Sequence, residues 1–161
     1  MKLAVAVFVL LVTPLAVSAQ DYILGLGYTD FNRVASEDTP LIVAEYHLKP
    51  FYETDRLSAN WALGLTAHTS GDFHVGFGLA STYSLGERWF LEGSVLPGGF
   101  FENDDANFLG GHFQIRSLFG LGYGFDNGNK ISLGVTHISN ASTTDENPGV
   151  NSVQVRFRRA F

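Results

Sequence analysis

His137 and Ser139 are the two side chains of this sequence whose types and spacing could do chemistry together. They follow Ile131, Leu133 and Val135, the alternate apolar residues of KISLGV. Residues i and i+2 of a β-strand point to the same side, so an imidazole here could accept a proton from the neighbouring hydroxyl. The same pair could instead lie as inert polar side chains in the headgroup zone of a membrane. Their spacing leaves both interpretations open.

The elements that position this pair are predicted to be β-strands, since eight segments alternate apolar residues with small or polar ones. Eighteen glycines and 14 phenylalanines also disfavour amphipathic helices. The sixth segment is long for one strand, which predicts a bulge near Arg116 to Leu118. The segments are DYILGLGYT, LIVAEYHL, ANWALGLTAH, DFHVGFGLASTYSL, RWFLEGSVL, about Phe108 to Phe125, KISLGVTHIS and NSVQVRFRRAF.

Two folds suit such strands: a soluble sandwich with an apolar core, and a membrane barrel with an apolar exterior. The apolar rows are rich in aromatic residues and carry Tyr or Trp near their ends, while glycine, histidine and charge occupy the opposite rows. Eight strands of this length match the smallest outer-membrane barrels, and a sheet in lipid must close on itself. Phe161, on the row of Phe157, is similar to the terminal aromatic of outer-membrane assembly signals. The sequence predicts an all-β fold, an eight-stranded antiparallel transmembrane β-barrel.

Residues 1–19 have the features of a secretory signal peptide: Lys2, an apolar stretch and a small-residue ending at Ala19. The alternative is a single transmembrane anchor. We expect residues 20–161 to form one domain, the barrel. The absence of cysteine excludes disulfides and thiolate metal sites, and a net charge of -6 argues against nucleic acid as a partner.

The connections between strands predict which end of the barrel carries the pair. KPFYETDR, LGER and FDNGNK are expected on the periplasmic side, and DFNRVASEDTP, TSGD, PGGFFENDDANF and NASTTDENPG on the outer side. His137 and Ser139 then face outward at the outer end of the seventh strand. Asn151 begins the outward row of the eighth.

The remaining histidines fall on predicted interior rows. Together with charged residues of the same rows they are expected to form a polar network rather than a metal site or a channel. The members of this predicted network are His47, His68, His74, His112, Glu45, Glu92, Arg116, Arg156 and Arg158.

The segments HISNAS and NPGVN resemble the active-site segment of the lipid A 3-O-deacylase (PagL) family, which are eight-stranded outer-membrane esterases. FQI in the sixth strand and the aromatic C-terminus share in the resemblance, which covers the C-terminal third of the chain best. It implies that His137 is the general base, that Ser139 is the nucleophile and that Asn140 helps to bind the oxyanion.

The sequence departs from the family at the third catalytic position, where Asn151 stands in place of the acid, typically Glu. An amide can orient an imidazole but lacks the charge that stabilises imidazolium, and in a serine triad that exchange was worth about 10⁴ in rate. Asp145 or Glu146 could instead reach His137 from the loop.

The resemblance implies removal of the ester-linked 3-hydroxyacyl chain at position 3 of lipid A. It places the protein in the outer membrane of a Gram-negative bacterium, with the active site facing the outer leaflet, where lipid A or lipopolysaccharide is the substrate. Acyl transfer by Ser and His needs no cofactor and no metal. Two alternatives stay open: a non-enzymatic barrel that anchors loops for adhesion or stability, and less favourably a lipid A palmitoyltransferase. The sequence leaves the oligomeric state open, with a homodimer as one option.

Overall fold

A computed structural model describes residues 20–31 and 38–160. The predicted signal peptide and Phe161 lie outside the described residues. The strands are β1 (Asp21–Phe31), β2 (Thr39–Glu53), β3 (Leu57–His68), β4 (Phe73–Ser84), β5 (Trp89–Phe101), β6 (Phe113–Gly124), β7 (Asn129–Ser139) and β8 (Val150–Ala160). One turn of 3-10 helix, Asp105–Asn107, lies between β5 and β6. Within the described ranges, no helix is long and apolar enough to cross a membrane.

Each strand pairs antiparallel with the next, and β8 pairs with β1, so the sheet is a closed barrel. The predicted eight-stranded antiparallel fold is therefore confirmed. The alternation of the sequence places one row of each strand on the exterior and the other in the lumen. Exterior side chains such as Leu26, which is 69% exposed, form an apolar band around the barrel. A band of this size is unfavourable in water and is typical of the lipid-facing surface of an outer-membrane barrel.

The lumen is filled by buried charged side chains that bond across strands. We call Glu45, Glu92, Arg116, Arg156 and Arg158 the lumen network. Arg156 donates to Glu45 Oε1 at 2.8 Å and to Glu92 Oε1 at 3.0 Å. Arg158 donates to Glu92 Oε2 at 2.8 Å, and Arg116 bonds to Glu45. These five predicted interior residues are confirmed as an ion-paired network, which is how buried charges are tolerated.

The interior histidines divide into three kinds. His47 bonds to Glu45 and extends the lumen network. His68 and His74 point inward as predicted but bond elsewhere, His68 Nε2 to Thr29 Oγ1 and His74 Nε2 to the Gln114 carbonyl. The interior prediction is wrong for His112, whose side chain is 73% exposed.

The exposure of His112 follows from where the sixth strand begins. β6 starts at Phe113 rather than near Phe108, since Gly110 and Gly111 take positive φ angles and keep the preceding residues in a loop. The extra length is therefore loop, and the bulge predicted near Arg116 is wrong, because β6 keeps continuous register with both neighbours. The irregular register lies instead in β2, around Pro50.

Four of the connections share the end of the barrel that the sequence predicts to be the outer one, which we call the outer end: β1–β2, β3–β4, β5–β6 and β7–β8. Two of them match their predicted bounds, residues 69–72 and 140–149, whereas most of the β1–β2 connection lies outside the described residues. An apolar cluster, the outer plug, closes the lumen just below. It consists of Phe31, Phe100, Leu109, Ile138 and Val150, each at most 3% exposed.

Asp72 joins two of these outer connections. Its carboxylate accepts hydrogen bonds from Ser70 Oγ at 2.6 Å, from the backbone of Asn103 and Asp104, and from Asn107 Nδ2 at 2.7 Å. Burial by itself would raise the pKa of Asp72, but these hydrogen bonds to the charged form outweigh it and lower the pKa below its usual value. The ionised carboxylate therefore holds the β3–β4 turn against the β5–β6 loop.

Candidate active site

His137 and Asn151 face each other across β7 and β8 on the exterior of the barrel. Both side chains are exposed, and they continue the apolar exterior rows of their strands. His137 Nδ1 lies 2.9 Å from Asn151 Oδ1. An amide oxygen can only accept, so Nδ1 is the donor and carries the ring proton. Nε2 is then left as the acceptor, which is the state that a general base requires.

Gly149 lies next to the free edge of this imidazole, and Ser139 lies at the same end of the β7–β8 ladder. Each is one residue beyond Ile138 and Val150, the last pair of the β7–β8 ladder. A Cβ atom at Gly149 would lie 2.9 Å from His137 Cε1 and 3.4 Å from Nε2. The Nε2 edge of the ring is therefore turned toward the end of the ladder where Ser139 lies.

Gly149 satisfies two requirements at once. Its φ angle of +65° lies in the left-handed region, which residues with a Cβ rarely adopt. It also leaves the space that the imidazole occupies. For the part of the chain that is described, no hydrogen bond joins Ser139 Oγ to His137, so proton transfer requires Oγ and Nε2 to come within hydrogen-bonding distance. Catalytic hydrogen bonds commonly tighten only when substrate is bound.

The strands beneath the site are anchored from inside the barrel. Ile138 and Val150, which lie beside His137 and Asn151 along the chain, point inward and pack in the outer plug. Their burial fixes the side of the sheet to which His137 and Asn151 point, because a shift of one residue would exchange the interior and exterior rows. The exterior position of the pair thus rests on the apolar packing behind it.

The side chain of Asn140 is bonded within the β7–β8 loop, whereas the resemblance assigned it to the oxyanion. Its side chain is buried, and its Nδ2 donates to Thr144 Oγ1 and to the Glu146 carbonyl, both at 2.7 Å. Its Oδ1 accepts from the Ser142 amide. These bonds hold the loop that follows Ser139. A role for Asn140 in binding an oxyanion stays a prediction and requires one of these contacts to open.

The loop carboxylates Asp145 and Glu146 are exposed. Since Asn151 already accepts from Nδ1, the structure favours Asn151 over either of them as the partner of the ring. The loop itself is braced by Thr144, whose hydroxyl donates to the Gly110 carbonyl at 2.6 Å. A Cβ at Gly110 would lie 1.9 Å from the Glu146 carbonyl oxygen, so the two outer loops approach each other closely there.

A groove of about 540 Å³ runs along the exterior below the site. His137 and Asn151 form part of its wall, and Phe119, Val135 and Val153 give it an apolar surface. An imidazole above an apolar groove suits a substrate that has a reactive polar group on a long acyl chain. Among the described residues, no group of three or more His, Cys, Asp or Glu is arranged to hold a metal ion.

Asp30 also lines this groove, and the sequence analysis missed it. The predicted first strand ended at Thr29, but β1 continues to Phe31. Asp30 therefore extends the exterior row of Leu24, Leu26 and Tyr28 by one step. Continuing the period of two from Tyr28 to the next exterior position would have placed the Asp30 carboxylate on the exterior.

Comparison with known proteins identifies relatives with this architecture. Residues 41–160 match the model of a family described as lipid A 3-O-deacylase (PagL). A Bordetella bronchiseptica protein named lipid A deacylase PagL is 32% identical over 77 residues, which cover 47% of this chain and 43% of that protein. This chain thus aligns with less than half the length of that relative.

Solved structures show the same barrel. A crystal structure described as the outer membrane enzyme PagL superposes with a TM-score of 0.65 at 22% identity, covering 86% of this chain and 98% of that one. The Yersinia pestis attachment invasion locus protein Ail has a TM-score of 0.54 at 11% identity, covering 90% of this chain and the whole of that one. At these identities the structural likeness speaks for the fold alone.

Proposed function

We propose, on the premise that this chain belongs to the lipid A 3-O-deacylase (PagL) family, that it is an outer-membrane esterase. In this proposal it hydrolyses the ester-linked 3-hydroxyacyl chain at position 3 of lipid A. Ser139 is the nucleophile and His137 the general base, and the active site faces the outer leaflet, where lipid A lies. The relative from Bordetella bronchiseptica is named for the same substrate.

The proposed reaction has two half-reactions that share one base. His137 Nε2 takes the proton of Ser139 while Oγ attacks the ester carbonyl, and the proton then passes to the leaving sugar oxygen. Water next attacks the acyl-enzyme with His137 again as the base. The products are the 3-hydroxy fatty acid and lipid A with a free hydroxyl at position 3. Asn151 holds the ring through Nδ1 in both halves.

The observation that carries this proposal is the 2.9 Å hydrogen bond between His137 Nδ1 and Asn151 Oδ1 on the exterior of the barrel. It selects the tautomer in which Nε2 is basic, and it lies above a groove with apolar walls. A barrel that only anchors loops has no use for an oriented imidazole at this place. A palmitoyltransferase with an interior acyl site is disfavoured, since the lumen is filled by ion pairs.

The test is a single substitution, Ser139→Ala, in cells that make lipid A. Mass spectrometry should show loss of one 3-hydroxyacyl chain with the wild-type protein and intact lipid A with the variant, a fall of about 10⁴-fold or more in activity. Ser81→Ala is the matched control, because Ser81 is a partly exposed exterior-row serine on β4. Equal deacylation by Ser139→Ala would disprove the assignment, and a folded wild-type barrel without deacylation would favour the non-enzymatic alternative.

A further inference from the structure

Asp30 stands in the same exterior row as the two polar residues of the site. In the β1–β8 ladder Asp30 pairs with Asn151, and in the β7–β8 ladder Asn151 pairs with His137. Residues that pair in an antiparallel ladder point to the same face, with Cβ atoms about 4.5–5.5 Å apart. Carboxylate, amide and imidazole are thus consecutive neighbours across three strands, and all three line the groove.

The orientation of Asn151 connects the two ends of this row. Its Oδ1 is turned toward His137 on β7. The oxygen and nitrogen of a primary amide diverge from the same carbon, so Nδ2 is turned away from His137, and β1 is the strand on the other side of β8. Nδ2 carries two hydrogens and can only donate. The residue opposite it across the ladder is Asp30, whose ionised carboxylate can only accept.

We propose that Asp30 is a positioning residue of this site, whose carboxylate accepts a hydrogen bond from Asn151 Nδ2. It orients the amide so that Oδ1 faces His137 and supplies, one strand further away, the negative charge that Asn151 lacks. Formation of the bond requires only side-chain rotation, because the backbone register already places the two residues opposite each other. This inference rests on the proposed serine–histidine pair.

The proposed bond gives the imidazolium a negatively charged partner nearby. Without Asp30 it would have none at this position, because Asn151 stands where the family has an acid. Adjacent strands lie about 4.8 Å apart, so Asp30 is roughly 10 Å from His137 across the ladder. Attraction falls with this distance and is screened by water near the headgroups. The effect of Asp30 should therefore be much smaller than the 10⁴-fold effect of a directly bonded acid. We expect about tenfold.

The experiment measures how fast Ser139 of the full-length protein, purified in detergent, is modified by a fluorophosphonate probe, together with kcat and KM for lipid A. Asp30→Asn should lower the labelling rate and kcat about tenfold with KM unchanged, and Asp30→Glu should restore most of the rate. Asp38→Asn is the matched control, an exposed carboxylate immediately before β2, and should label like wild type. Heat-modifiable mobility on gels verifies that each barrel has folded.

A second background separates positioning from a structural role. Asn151→Glu places an acid directly beside His137 and should maintain or raise activity, and in that background Asp30→Asn should change the labelling rate by less than twofold. An equal fall in both backgrounds would overturn the proposal, because a merely structural carboxylate would be needed in each.

The same measurements distinguish the two proposals. If wild type is labelled at Ser139 and releases the fatty acid while Asp30→Asn is unchanged, the role of Asp30 is refuted and the esterase stands. If wild type is not labelled at Ser139, both fall together.

Discussion

In the lumen network Arg156 bonds to two carboxylates on different strands, whereas at the outer rim the His137 ring is held by one amide. The lumen groups are almost completely buried, and His137 and Asn151 are exposed. Charged groups in the lumen are thus fixed by several partners each. The imidazole at the rim, by contrast, is held through Nδ1, and its Nε2 edge faces Gly149 at the end of the β7–β8 ladder.

This difference shows how one barrel separates stability from chemistry. A group held by several buried ion pairs cannot exchange a proton without losing them, so the lumen network suits a structural role. A group with one fixed and one open nitrogen is oriented and still reactive. If this comparison holds, substitutions in the two regions should affect different measurements.

The largest effect on stability is expected from Glu45→Ala in the lumen. The change leaves Arg116 and Arg156 without their shared carboxylate in a buried site, and breaking such a buried pair costs about 3–5 kcal/mol. Urea unfolding of the barrel in lipid vesicles measures the loss. The rate of Ser139 labelling in the folded fraction should stay close to that of wild type.

Glu87→Ala provides the control for that experiment, because Glu87 is an exposed carboxylate in the connection between β4 and β5. It should change the free energy of unfolding by less than about 0.5 kcal/mol. A loss below 1 kcal/mol for Glu45→Ala would contradict the structural role of the network. A large fall in labelling at unchanged stability would contradict the separation of the two regions.

A larger effect on chemistry than on the stability of the barrel is expected from Gly149→Ala. The new Cβ would lie 2.9 Å from His137 Cε1, so the ring must move away, and displacements of about 1 Å can lower a rate about 10²-fold. The left-handed φ angle adds about 1–2 kcal/mol of strain. Labelling of Ser139 and urea unfolding, measured on the same samples, separate the two effects.

Gly128→Ala is matched to it in backbone conformation but not in position. Gly128 has a φ angle of +81° in the β6–β7 turn, and a Cβ there would meet nothing within 4 Å. It should show a similar loss of stability with unchanged labelling. Equal labelling by the two variants would mean that Gly149 serves the loop and not the imidazole.

Alternation predicted which way each strand faces, and the ends of the strands were harder to predict. A period of two is a property of the residues themselves, so the exterior position of His137 could be read from the sequence. The end of β1 depends on Phe31, which is buried in the outer plug by residues from β5, β7 and β8, and that packing draws Asp30 into the ladder. Contacts so distant in sequence leave no local pattern.

The same dependence on distant contacts explains why the environments of His112 and Asn140 differ from the predictions. The start of β6 is set by positive φ angles at Gly110 and Gly111, where one glycine lies against the Glu146 carbonyl of another loop. Asn140 follows Ser139 and was assigned by resemblance to the oxyanion, but its amide is engaged by the loop that folds back over it. Pairing across the β7–β8 ladder could be anticipated, because a single loop of residues 140–149 joins the two strands.

The smallest effect is expected at Asp72, which is as buried as the lumen carboxylates but anchors loops instead of strands. Its pKa is lowered in the folded protein, so its contribution is present above the ordinary value near 3.9 and is lost as the pH falls through the lower folded value. As the pH falls through that lower folded value, the hydrogen bonds from the backbone amides of Asn103 and Asp104 to the carboxyl group should weaken, which NMR shifts of those amide protons report. Asp72→Asn should lower stability by about 1 kcal/mol and abolish the acid-dependent shift, with the lumen network and Ser139 labelling unaffected. A shift that persists in the variant would place the titrating group elsewhere.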